Sequence, residues 1–143
     1  MEIWKSKLTI EELTEKSKGT MIEHVGIEFI EIGEDYIIGR MPVFNGTLQL
    51  FGRVHGGASV VLAETLGSIG AGMCADLSKE HVVGMEINAN HVRGVKKGWV
   101  TGIASPAHVG KTTQVWEIRM FDDDDNLSCI SRLTTATIQK DKA

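Results

Sequence analysis

The chain has 143 residues, 15 Lys and Arg against 19 Asp and Glu, and a formal net charge of −4. That length suits one ordinary domain with its own core, so residues 1–143 are read as a single unit. The charge, with no basic cluster richer than "VKKG" at 95–98, speaks against a nucleic-acid binder, and two distant cysteines outside any CxxC spacing give no support to a disulfide framework or a metal site.

The opening "MEIWKSKLTIEEL" lacks a positively charged region followed by an apolar core, so no secretory signal is expected and the protein is read as cytoplasmic, with both thiols buried and reduced. In "TIEELTEKS", 9–17, Thr9 followed three residues later by Glu12 is a capping-box pattern and predicts a short helix. "HVGIEFIEIG" at 24–33 and "DYIIGRMPV" at 35–43 read as the two strands of a hairpin, with Val25, Ile27 and Phe29 on one face. A polar loop, "FNGTLQLFGR" at 44–53, follows.

Between Arg53 and Asp76 lie 22 residues whose one formal charge is Glu64. The segment 55–77 is too long for a strand and has no proline, so it predicts a helix opened by Gly56 and Gly57. Small residues on every side imply burial inside something that wraps the helix. Its glycines and its central glutamate argue against a membrane span. Four runs rich in β-branched residues, at 82–93, 98–109, 112–122 and 127–138, supply the wrapper. The turns between them, "GVKKG", "GK" and "DDDDN", are short, which predicts an antiparallel sheet and the order ββαββββ, an α+β fold. The run Asp122 to Asp125 is read as a solvated turn, since a calcium loop needs a longer, spaced ligand set.

A carboxylate on such a helix must be paired, protonated or facing a cleft, because burying it without partners costs several kcal/mol. The bland alternative is a glutamate that meets water or a second chain. Ser68 lies four residues after Glu64, on the same helix face, where its hydroxyl can orient the carboxylate. "HGG", His55 to Gly57, stands at the helix start, where unpaired N–H groups and the positive end of the macrodipole favour a developing oxyanion. Gln49, a few residues earlier, can position water or a carbonyl. A carboxylate with an oxyanion hole is the minimum equipment for acyl transfer to water. Eight residues of helix, however, separate Gly56 from Glu64 by about 12 Å, so one carbonyl cannot meet both in one chain. That separation predicts a site shared between subunits.

"FGRVHGGASVVLAETLGSIGA" and the following "GMEINANHVRGVKKGWVTGIASPAHVGKTTQVWEI" resemble the hotdog-fold acyl-CoA thioesterases. The resemblance is nearest to the bacterial branch of the 1,4-dihydroxy-2-naphthoyl-CoA and enterobactin proofreading thioesterases. It implies a long central helix wrapped by an antiparallel sheet, hydrolysis of an aromatic or related acyl-CoA, no cofactor or metal, and a homotetramer built as a dimer of dimers. It also implies Glu64 as nucleophile or general base, the Gly56 amide as the group polarising the carbonyl, and Gln49 and His55 as positioning groups. Ser68 would support the site of the second subunit. His91, Arg93, His108, Gly110 and Lys111 match positions facing the coenzyme A arm, with Lys111 standing where arginine is the expectation. His24 and His81 match nothing functional. Two other readings remain open: a noncatalytic acyl-CoA binding module, and a hotdog hydratase, whose His and Asp pattern is missing here.

Overall fold

In the structure, a computed structural model that describes residues 1–141, Thr9 caps the first helix, α1 (Ile10–Ser17), through the predicted reciprocal pair. Glu12 N–H donates to Thr9 Oγ1 at 3.1 Å, and Thr9 N–H donates to Glu12 Oε2 at 2.8 Å. A second, one-turn helix, α2 (Met21–His24), precedes the predicted strand 24–33 and overlaps it at His24, and the strand itself starts four residues later than predicted. Thr20 starts this helix by accepting the Ile22 N–H. Val25 and Ile27 are buried as their alternation suggests, yet they lie before β1 (Glu28–Ile32), which forms the hairpin with β2 (Ile37–Pro42).

The long helix α3 runs Gly56–Met73, four residues short of the predicted end. Cys74 N–H still bonds to Gly70 O, but beyond it the chain enters a turn in which the Asp76 carboxylate accepts the Ser78 N–H. A segment with no signal in the sequence reading closes this end: Lys5 and Ser6 both donate their N–H groups to Met73 O, at 2.8 and 2.9 Å. Orphan carbonyls at a buried helix end need such partners.

Four strands follow, β3 (Glu80–His91), β4 (Trp99–Val109), β5 (Thr113–Phe121) and β6 (Leu127–Gln139), within two or three residues of the predicted runs. The sheet is antiparallel throughout, in the order β1-β2-β4-β5-β6-β3. β4, β5 and β6 form the meander that their short turns imply. β3 instead pairs with β6, so residues 92–98 carry the chain past two intervening strands, a step of roughly 14 Å that seven residues span with ease. This is the expected α+β hotdog fold, one long helix packed against a single curled sheet.

Small residues let the sheet come close to α3: a Cβ on Gly70 would lie 2.7 Å from the Trp116 ring. Leu62 and Leu66 on the same helix are fully buried, each worth about 2 kcal/mol. Trp116 Nε1 donates to Gln114 Oε1, and Gln114 Nε2 donates to Ala71 O, both at 3.0 Å, so a buried polar chain ties β5 to the helix. Among the described residues no helix is long and apolar enough to cross a membrane.

β3 is an edge strand. Register against β6 puts Val82, Gly84, Ile87, Ala89 and His91 on the helix side, with a bulge between Gly84 and Glu86. Met85, within the bulge, is 65% exposed. A twelve-residue edge presenting unpaired backbone groups is a template for another strand.

Candidate active site

The helix start is held in place by His55, whose backbone N–H donates to Thr47 O and whose Nδ1 accepts the Gly57 N–H at 2.8 Å. Ala58 and Ser59 donate to His55 O. Gly56 N–H alone in this turn finds no acceptor among the described residues, and so remains available to a ligand. His91, reaching in from the end of β3, covers Gly56 so closely that a Cβ there would lie 3.0 Å from His91 Nε2.

Beside this amide the turn 49–53 is closed by Gln49. Gln49 N–H donates to Arg53 O and Gly52 N–H donates to Gln49 O. The Gln49 side-chain oxygen accepts the N–H groups of Phe51 and Arg53. Since both partners are donors, the oxygen is fixed and the Gln49 NH₂ points elsewhere, free to donate. The turn also presents Leu50 and Phe51 to solvent, 99% and 81% exposed, next to His55.

Gln49, Gly56, His91 and Arg93 line one cleft of about 390 Å³, together with Arg53, Ser59 and Ser128. Arg53 was not singled out by the sequence reading, although it bounds the uncharged segment. Ser59 and Ser128 gave no signal, being single serines in apolar runs. The charges in this lining are the two arginines, in a chain whose net charge is −4, so the cleft suits an anion. The β3 end is held against β6 by Val92 and Arg93 N–H groups, both donating to Ser128 O. Arg93 also contributes to holding the Asp122 carboxyl below its usual range, after the larger effect of the Asn126 and Asp124 N–H groups that close the acidic turn.

Glu64 and Ser68 lie further along α3, outside this cleft. The Glu64 carboxylate rests over β3 at Gly84, where a Cβ would come within 2.6 Å of Glu64 Oε1. It is half-buried, and no hydrogen bond or ion pair reaches it among the described residues, Ser68 included. His108, near the end of β4, and Gly110 and Lys111, in the β4–β5 turn, lie at the opposite end of the sheet, where His108 folds over Gly110. Gly110 and Lys111 line a second cleft of about 370 Å³ with Lys5 and Glu80. On β6, His91 sits opposite Cys129 and Thr113 opposite Ala136, a separation of seven residues or roughly 23 Å along the strand. One chain therefore brings Gln49, Gly56, His91 and Arg93 together and keeps Glu64 and the 108–111 group apart from them.

A helix whose free N-terminal amide opens into a cationic cleft, cradled in a hotdog sheet and carrying an unpaired carboxylate, is the framework of a thioester hydrolase. The chain belongs to the thioesterase superfamily, whose family model matches residues 51–129. It is 48% identical over 136 residues to the 1,4-dihydroxy-2-naphthoyl-CoA hydrolase of Escherichia coli, covering 95% of this chain and 99% of that protein. It is 46% identical over 136 residues to the proofreading thioesterase EntH of Cronobacter turicensis, covering 95% and 98%. Its fold matches the crystal structure of a thioesterase from Haemophilus influenzae with a TM-score of 0.92 at 43% identity, over 96% of this chain and 95% of the other.

Proposed function

We propose that the protein hydrolyses an acyl-CoA with an aromatic or related acyl group to the free acid and coenzyme A, at a site shared by two subunits. The observation that carries this reading is the separation of a free Gly56 amide in a cationic cleft from an unpaired Glu64 carboxylate over Gly84. The relatives suggest the substrate class: one is a hydrolase of an aromatic acyl-CoA and another is a proofreading thioesterase.

Pairing β3 antiparallel with its own copy about a twofold axis near Ile87 and Asn88 carries Gly84 of one subunit beside His91 of the other. Glu64 then faces the second subunit's Gly56, and the Lys111 end approaches Arg93. A face-to-face or back-to-back association of two such dimers gives the tetramer, and the two unpaired buried thiols suit a cytoplasmic protein.

In this assembly Gly56 N–H, at the positive end of α3, donates to the thioester carbonyl oxygen as negative charge develops on it. The Gln49 NH₂ and the His55 imidazole position the carbonyl or the water. Glu64 acts in one of two ways: it attacks the carbonyl carbon, giving an anhydride that water opens, or it takes the proton of the attacking water. Either way the C–S bond breaks, oxygen from water enters the acid, and the coenzyme A thiolate leaves with a proton. Ser68, one turn further along α3, supports the site of the second subunit. His91, Arg93, His108, Gly110 and Lys111 hold the coenzyme A arm. Release of free thiol from benzoyl-CoA by the wild-type protein, followed with a thiol reagent, tests the reading. Loss of that release in Glu64→Ala supports it, and undiminished release in Glu64→Ala overturns it.

A further inference from the structure

Thr135 lies in the middle of β6, is 0% exposed, and its Oγ1 has no hydrogen-bond partner among the described residues. A hydroxyl removed from water without a partner is disfavoured, so its place in the sheet asks for an explanation. Its direct cross-strand neighbours are Gly84 on one side and Gln114 on the other. Directly opposed residues in an antiparallel pair share a face, so the Thr135 side chain points to α3, as do the buried Ser131 and Leu133.

On the Gln114 side both ends of the amide are engaged, one with Ala71 O and the other with Trp116 Nε1. On the Gly84 side there is no side chain, and the space is filled by the carboxylate of Glu64, whose Oε1 lies 2.6 Å from where a Cβ would stand. Cross-strand Cβ positions are about 5 Å apart, a gap that a hydroxyl and one water bridge. An unpartnered donor and an unpartnered carboxylate thus both adjoin one glycine.

We propose that Thr135 is a positioning residue for Glu64, its hydroxyl donating to the carboxylate through one buried water. The Gly84 vacancy beside Glu64 admits the carboxylate, and the hydroxyl fixes which way it faces. Thr135 itself touches no substrate. This inference rests on the reading of Glu64 as the catalytic carboxylate.

The test is Thr135→Val, which keeps the shape and removes the hydroxyl, measured beside Thr135→Ser and Glu64→Gln on one acyl-CoA. The expected result is a melting temperature equal to or above wild type, an unchanged KM, and kcat lowered about 3- to 10-fold, the change made by loss of one ordinary hydrogen bond. Thr135→Ser should restore kcat to within about twofold. A purely structural hydroxyl would leave kcat unmoved in all folded variants. Thr135→Ala gives the same kcat readout if valine disturbs the sheet. Wild-type kcat in the folded valine or alanine variant, with Glu64→Gln still inactive, overturns the role of Thr135 alone. Near wild-type turnover in Glu64→Gln overturns the reading beneath it.

Discussion

Glu64 stands half out of water, with no ion pair and no hydrogen bond among the described residues. In the proposed reading that carboxylate is the nucleophile or general base. Glu64→Gln therefore should leave oligomer and coenzyme A binding near wild type while lowering kcat by about 10²-fold or more, the scale of a lost general base; steady-state kinetics with sedimentation checks both halves. In the proposed reading Arg93 and Lys111 act at the other end of the substrate. Neutralising either should raise KM several-fold with little change in kcat, and should matter less for the pantetheine thioester, which lacks the nucleotide. Equal losses on both substrates would separate these side chains from the nucleotide. The thiols serve as a control on such assays. Burial pushes the Cys74 thiol up to about 11 and raises Cys129 as well, so neither carries appreciable thiolate near neutral pH. A thiol reagent should count no reactive cysteine in the folded protein and two after denaturation.

At the scale of elements, the contact between α3 and β3 matters most, and Gly84 controls it. Gly84→Ala places a methyl group 2.6 Å from Glu64 Oε1, so the carboxylate must turn away while the strand keeps its pairing with Thr135. The expected outcome is a folded protein with kcat reduced about tenfold or more, since a displacement near 1 Å spoils attack geometry; unchanged kcat would contradict the placement of the carboxylate over β3. Much of this architecture was legible in the sequence. Thr9 with Glu12 carried the α1 start, and "HGG" the α3 start, because caps are local chemistry. Runs of β-branched residues and the turn signals between them carried β3 to β6, because such side chains pack well on a pleated surface. What the sequence hid was non-local. The pairing of β3 with β6 depends on how a curled sheet closes around the helix. The end of α3 depends on Lys5 and Ser6, residues nearly seventy positions away in the chain. The predicted first strand began too early, at His24, because Val25 and Ile27 are buried on both sides of a tight turn that alternation cannot distinguish from a strand, and the short helix α2 before it was missed. At the site, Gly56 and Glu64 were conspicuous through composition. Thr135 was not, since one threonine among β-branched neighbours looks like any other strand residue.

At the scale of the molecule, the layout of the groups decides what a single chain can do. Gln49, Gly56, His91 and Arg93 form one cluster, Glu64 lies elsewhere on the same helix, and Lys111 is at the far end of the sheet. An exposed edge strand and about 12 Å of helix between Gly56 and Glu64 both point to an assembly of at least two subunits. The central claim, that each site takes its amide from one subunit and its carboxylate from another, can be measured by subunit complementation. Gly56→Pro removes the amide hydrogen at the first helical position, where proline is well tolerated and where the extended His55 already suits a following proline. Glu64→Gln removes the carboxylate. Each variant alone should be nearly inactive. Co-expressed with separate tags in equal amounts, they should recover about a quarter of the wild-type kcat per chain, because half the dimers are mixed and each mixed dimer holds one intact site. No recovery in purified mixed oligomers would place the amide and the carboxylate of each site on the same chain and contradict the shared-site account.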